Sequence, residues 1–182
     1  ANAAKYAGVP VNKVKILFFG QSITRQNYSR EIIEAKLRAE YPHAQLEVYN
    51  HSIGGYTAPL LLPTMHHQLI PLQPDLVVFH VYGGETGEYE AILRNIRQLT
   101  PAEIITMSHH LDDYGAKVTE ERERASDLRR DLAERYQCEF VELRREWGKY
   151  LARHALEPSD LLKDRIHLNR HGGELWGALQ AR

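Results

Sequence analysis

A serine near the start of the chain and an aspartate–histidine pair near its end have the residue types of a nucleophilic catalytic site. Ser22 comes two residues after Gly20 in VKILFFGQSITR, and Asp164 and His167 stand three residues apart in DRIH. A carboxylate can hold one imidazole nitrogen while the other nitrogen takes the proton of a serine hydroxyl. These types and spacings predict acyl transfer. Simpler readings are a turn or helix N-cap role for the serine and a surface-loop pair for Asp–His.

Hydrophobic patterning predicts the elements that must bring these residues together. The apolar run 14–19 suits a strand buried on both faces. Strands and helices then alternate about five times, which predicts an α/β protein, a three-layer α/β/α sandwich around a parallel sheet of about five strands. Further strands are predicted at 45–50, 75–82, 103–109 and 138–143, and helices at 27–41, 57–69, 88–99, 119–136, 147–155 and 172–181.

Turns that contain glycine follow the first three predicted strands. They are Gly20-Gln21-Ser22, Gly54-Gly55 and Gly83-Gly84-Glu85. Because the carboxyl ends of parallel strands meet at one edge of a sheet, the three turns are expected to converge there, where ligands bind in open α/β sheets. If the loop of Asp164 and His167 reaches the same edge, His167 supplies the base and Asp164 its orienting group.

Length and charge limit the organisation and the partners. The 182 residues predict one domain, 1–182, with a surface arm at 1–13. A formal net charge of −1 gives no indication of a nucleic-acid or membrane-surface partner. No run approaches the ~18 apolar residues of a membrane span. The sequence predicts a soluble chain and leaves open whether a leader was removed before Ala1.

The numbers and spacing of the cysteine and histidine residues argue against a disulfide framework and against a metal site. The lone Cys138 excludes an intrachain disulfide and a multi-cysteine metal site. The neighbouring histidines His66-His67 and His109-His110 diverge on a helix and face opposite sides of a strand, so neither pair can clamp a metal. No metal is expected, and His109 or His110 is predicted to line the pocket mouth.

The order and spacing of these blocks resemble the SGNH, or GDSL-type, esterases and lipases, which share a flavodoxin-like α/β/α fold. The resemblance extends from Val14 to about Gly172. It implies that Ser22 in GQSI is the nucleophile and its backbone N–H an oxyanion donor, that Gly55 in NHSIGGYT is the second donor, and that Asp164 and His167 complete the triad. Such a hydrolase needs no cofactor.

Two positions depart from the family pattern. Gln21 stands where the family usually has aspartate, which keeps hydrogen-bonding capacity and removes a charge. Glu85 stands where the family has an oxyanion-donating asparagine, and an ionised carboxylate cannot donate. The side chain is therefore expected to turn away or to be protonated. Loss of one donor typically costs about 2.7 to 4 kcal/mol of transition-state stabilisation.

The loops predict a polar substrate, a small-molecule or saccharide ester with a short acyl group. No amphipathic lid or apolar groove of the kind that a long acyl chain requires is evident near them. Gln21, Glu85, His109 and Tyr56 are the predicted substrate contacts, although aromatic residues beside a sheet, such as Tyr56 and Trp176, more often belong to the core. Acetyl esters of carbohydrates are the first interpretation. A short-chain lipid or thioester hydrolase and a non-catalytic ligand-binding relative are the alternatives.

Overall fold

Five parallel strands form the centre of the molecule in the order β2-β1-β3-β4-β5. The structure is a computed structural model that describes residues 13–181, apart from the side chains of residues 116 and 117. This strand order is that of flavodoxin-like sheets, so the predicted fold class is confirmed. The strands are β1 Lys13–Gly20, β2 Gln45–Asn50, β3 Leu76–His80, β4 Glu103–Met107 and β5 Glu139–Val141.

Helices follow the strands and cover the sheet. No helix in the described part of the chain has the length and apolar character that a bilayer crossing needs. The α-helices are α1 Ser22–Arg25, α2 Tyr28–Glu40, α3 Ala58–Leu61, α4 Met65–Gln68, α5 Glu88–Leu99, α6 Ala116–Arg135, α7 Leu143–His154 and α8 Arg170–Gln180. Short 3-10 turns occur at Leu62–Thr64, Ile70–Leu72 and Pro158–Leu161.

The interior strand β1, which pairs with β2 and β3, separates the core into two layers. Leu17 and Phe19 pack with the helices α3 to α6 on one face, and Ile16 and Phe18 pack with α2, α7 and α8 on the other. This alternation follows from the two-residue period of a strand. All four side chains are buried, and burial of each contributes about 1.5 to 3 kcal/mol. The apolar run is thus explained by a strand with helices on both sides.

Some predicted boundaries differ from the observed ones. The helix predicted at 57–69 is broken into short pieces, because Pro59 and Pro63 lack the N–H that a continuous helix would use. Strand β4 ends at Met107, since its neighbour β5 offers only three residues for pairing. The histidines predicted to end this strand lie in the following loop. Lys13 already belongs to β1, and the rest of the predicted arm lies outside the described residues.

Candidate active site

The end of β1 passes so close to β3 that only glycine fits at the turn. A Cβ atom on Gly20 would lie 2.2 Å from the backbone oxygen of His80. After this glycine the chain enters α1, in which Ser22 is the first residue and Gln21 the N-cap. The Gln21 Oε1 atom accepts a hydrogen bond from the Ile23 N–H at 3.3 Å, which is the usual role of a polar N-cap side chain. The serine is therefore held at the sheet edge.

Ser22, His167 and Asp164 form a continuous chain of hydrogen bonds. The Ser22 Oγ atom lies 2.9 Å from His167 Nε2, and His167 Nδ1 lies 2.9 Å from Asp164 Oδ2. The other carboxylate oxygen, Oδ1, accepts the His167 backbone N–H at 2.7 Å and the Ile166 N–H at 2.9 Å. The tight loop that folds Asp164 onto His167 thus fixes both the ring and the carboxylate.

The same contacts keep Asp164 ionised. The backbone N–H groups of His167 and Ile166, followed by the imidazole, lower the pKa of this half-exposed carboxyl to about 2. A hydrogen bond to the charged form favours that form. At any pH near neutrality the carboxylate is therefore available to stabilise a protonated His167.

The Ser22 hydroxyl has two neighbours that compete for its one proton. Gln21 Oε1 lies 2.6 Å from the Ser22 Oγ atom, on the side chain that caps α1, and His167 Nε2 lies at 2.9 Å. An amide oxygen accepts a hydrogen bond but is not a base near neutral pH, so only the imidazole can remove the proton. Glutamine at this position orients the hydroxyl without placing a second carboxylate beside it.

Three contacts that the sequence did not reveal fix the loop that carries His167. The Gln26 side chain, at the end of α1, donates to Leu168 O at 2.9 Å and accepts from Leu168 N at 3.3 Å. His110 Nε2 lies 2.8 Å from Ile166 O, and Arg165 Nε donates to Asp113 O at 2.9 Å. The residue that follows the histidine is therefore tied directly to the helix that begins with the serine.

The Gly54-Gly55 turn lies against the same end of β1. The Ile53 N–H donates to Gly20 O at 3.0 Å, which anchors the turn to the strand that precedes Ser22. Gly55 has φ +79°, a conformation that glycine adopts without strain. Within the described residues we find no acceptor for its N–H. That N–H is thus free to serve a ligand.

Glu85 turns away from the serine and binds an arginine of α6. Arg129 Nη2 donates to Glu85 Oε1 at 3.0 Å, and the guanidinium also bonds Ala125 O at 2.8 Å and Val81 O at 3.3 Å. The Arg129 side chain is 1% exposed, whereas that of Glu85 is 43% exposed. Of the two predicted alternatives, turning away describes this carboxylate.

We expect Glu85→Asn to change stability rather than catalysis. The variant should lose about 1 kcal/mol of unfolding free energy, because the buried Arg129 guanidinium loses its charged acceptor. Its kcat/KM for an acetyl ester should stay close to that of the parent. Urea unfolding and ester kinetics measure the two effects, with Glu121→Asn, at an exposed position in the same surface cleft, as the matched control. A rise in kcat/KM would instead place Glu85 at the oxyanion.

The remaining predicted contacts are placed differently. His109 is fully buried, and its Nδ1 atom lies 2.9 Å from His80 Nε2, so the prediction that it lines the pocket mouth is not met. Gln21 is also buried and reaches Ser22 rather than solvent. Tyr56 is partly buried against the core layer that includes α3 to α6, and Trp176 is buried in the opposite layer. Core packing occupies both aromatic side chains.

An open cleft of about 480 Å³ gives access to the serine. It is lined by Ser22, Arg25, Gln26, Lys163, Asp164 and His167. Nowhere in residues 13–181 do three or more histidine, cysteine, aspartate or glutamate side chains gather as metal ligands. The chemistry that the cleft offers comes from a hydroxyl, an imidazole and a carboxylate in sequence.

Comparisons with known proteins agree on one family and one fold. Residues 18–175 match the GDSL-like lipase/acylhydrolase family. An acetylxylan esterase from Geobacillus stearothermophilus is 20% identical, with 93% of each chain covered and a TM-score of 0.78. A putative GDSL-like lipase from Parabacteroides merdae is 17% identical, with 93% of this chain and 96% of that chain covered and a TM-score of 0.76. The acetyl xylan esterase AlAXEase is 21% identical, with coverages of 91% and 97% and a TM-score of 0.75. No curated protein matches.

Proposed function

The chain belongs to the GDSL-like lipase/acylhydrolase family and is a carboxylic ester hydrolase, and we propose that it removes short acyl groups, chiefly acetyl, from carbohydrates. In this proposal Ser22 is the nucleophile, His167 the base and Asp164 the orienting carboxylate. The observation that supports these three roles is the hydrogen-bond chain from Asp164 through His167 to Ser22.

The proposed reaction has two halves. Ser22 Oγ attacks the ester carbonyl while His167 Nε2 takes its proton, and Asp164 stabilises the imidazolium that forms. His167 then gives this proton to the departing alcohol, which leaves an acyl group on Ser22. In the second half His167 deprotonates a water molecule that attacks the acyl-enzyme, and the Ser22 oxygen leaves with the proton that His167 returns. The products are the alcohol and a short carboxylic acid.

Two backbone donors are proposed for the oxyanion. The Ser22 N–H lies in the first turn of α1, where N–H groups lack intrahelical acceptors, and the Gly55 N–H is free of acceptors in the described residues. Glu85 supplies no third donor, because it is an acceptor bound to Arg129. A site with one donor fewer gives up about 2.7 to 4 kcal/mol of transition-state stabilisation, so the enzyme is expected to be slow rather than inactive.

The character of the cleft supports a short acyl group on a polar alcohol. Its lining residues are all of polar or charged type, and the leucine, isoleucine, valine or phenylalanine side chains that typically line a groove for a long acyl chain are not among them. Two of the similar structures are described as acetyl xylan esterases, which favours a saccharide substrate by analogy alone.

The substrate assignment is tested with acetyl, butyryl and octanoyl esters of one alcohol, followed by acetate release from acetylated saccharides. We expect kcat/KM to fall by tenfold or more from acetyl to octanoyl, of order ~1.4 kcal/mol, because the cleft does not bury the longer chain. A preference for octanoyl with no acetate freed from any saccharide would favour the lipid or thioester alternative. No turnover of any ester would favour the non-catalytic one.

A further inference from the structure

Two cationic side chains line the cleft beside the serine and the histidine. Arg25 lies three residues after Ser22, which places both on one side of α1. Its Nη1 atom is 3.4 Å from where a Cβ on Gly54 would be, so the guanidinium reaches toward the glycine turn. Lys163 approaches from the other loop, in which its backbone N–H donates to His167 O at 2.9 Å.

Neither cation has an acidic partner within residues 13–181. Among the described side chains, no carboxylate lies within 4.0 Å of the Arg25 guanidinium or the Lys163 ammonium, whereas Arg38, Arg130 and Arg170 each bind a glutamate or aspartate. The one acidic residue in the cleft is Asp164, and its oxygens are occupied by two backbone N–H groups and the imidazole. The cleft therefore presents positive charge that the fold does not neutralise.

We propose that Arg25 and Lys163 form a subsite for a carboxylate on the sugar that carries the ester. The substrate class would then be acetylated uronic acids rather than neutral acetylated sugars. A guanidinium donates two parallel hydrogen bonds to a carboxylate, and the lysine adds a point charge. This inference rests on the proposed esterase function and names the alcohol part of its substrate.

The subsite follows from the geometry of the attack. The ester carbonyl must lie between Ser22 and the proposed donor at Gly55, and the departing alcohol must lie near His167, which returns its proton. Lys163 is tied to the His167 loop and Arg25 follows Ser22 in α1, so both border the space that the sugar ring occupies. In this proposal a carboxylate on that ring binds between the two cations, which line the same cleft.

A matched pair of substrates isolates the carboxylate. One is a mono-acetylated methyl uronoside, and the other is the same compound with its carboxylate converted to the neutral carboxamide. We expect kcat/KM for acetate release to be about tenfold higher for the acid, as two partly exposed charge-assisted contacts would give. The preference should shrink as salt rises from ~0.02 M to ~0.5 M, because ions screen exposed charges. p-Nitrophenyl acetate is assayed in parallel.

The double variant Arg25→Gln/Lys163→Gln should bring the acid-to-amide ratio close to one. Arg153→Gln, which removes an exposed cation that lines a different cleft, should keep the parent ratio. Equal rates for acid and amide in the parent, with all three esters hydrolysed, would overturn the subsite and leave the esterase function intact. A proportional loss on both sugars in the double variant would also overturn it, because the cations would then act on the reacting carbonyl. Failure to hydrolyse any of the three esters would overturn both proposals.

Discussion

The Ser22→Ala protein is expected to lose at least ~10³-fold of its kcat/KM for an acetyl ester. The substitution removes the hydroxyl that lies 2.9 Å from His167 Nε2, and with it the proposed site of acylation. Substrate binding and the proposed backbone oxyanion donors remain, so a small residual rate above the uncatalysed reaction is expected. Initial rates with p-nitrophenyl acetate measure the loss.

A serine-directed fluorophosphonate makes the same test independent of rates. Peptide mapping should find the label on Ser22 in the parent and no label in the Ser22→Ala protein. Ser159→Ala, at an exposed position outside the cleft, is the matched control and should keep both rate and labelling. Retained activity of the Ser22→Ala protein, or a label on another residue, would contradict the assignment.

The features that the sequence predicted well are those that depend on local pattern and chain order. The largely apolar run at 14–19 suited a buried strand, and a glycine at its end is required where β1 touches the His80 carbonyl. Parallel strand order then brings the turns after β1 and β2 to one edge. The Asp164–His167 contact is likewise local, since three residues are enough to fold the carboxylate onto the ring.

The features that the sequence did not reveal depend on the phase of a helix or on contacts between distant loops. The many charges of 120–135 are typical of a solvated helix face, yet Arg129 is buried and its guanidinium binds Glu85. Nothing in a mixed-charge pattern marks which arginine points inward. The Gln26–Leu168 contact joins residues that are 142 positions apart, so neither local spacing nor residue type could predict it. Here tertiary packing decides the role of the side chain.

Three buried histidines form a group beside the sheet edge, and the sequence did not predict that they are buried together. His80 and His109 share a hydrogen bond at 2.9 Å, and His110 Nε2 lies 2.8 Å from Ile166 O. Burial lowers the pKa of His110 to about 4 and holds the pKa values of His80 and His109 well below their usual range. The nearby Arg122 guanidinium also lowers the pKa values of all three rings, and the Arg129 guanidinium lowers those of His80 and His109. All three rings are therefore neutral in the folded protein near pH 6.

The free energy of unfolding is consequently expected to fall steeply as the pH drops from ~6.5 to ~4. In this window unfolded histidines bind protons and the buried ones do not, so the unfolded state takes up more protons and acid favours it. Each such histidine contributes up to about 1.4 kcal/mol per pH unit, so the three together contribute up to about 4 kcal/mol per pH unit. Asp164 does not contribute to this change, because its pKa is lowered in the folded protein and its protonation reduces stability only below about pH 4.

Urea unfolding at several pH values measures this slope. The His110→Gln variant isolates one contributor, since glutamine can still donate to Ile166 O but does not titrate. We expect its slope to be smaller than that of the parent by up to about 1.4 kcal/mol per pH unit, whereas His43→Gln, at an exposed position, should keep the parent slope. A parent protein equally stable at pH 6.5 and pH 4.5 would show that the buried rings accept protons without unfolding. The contact from His110 Nε2 to Ile166 O would then not require the neutral ring, because a protonated imidazole also donates from Nε2.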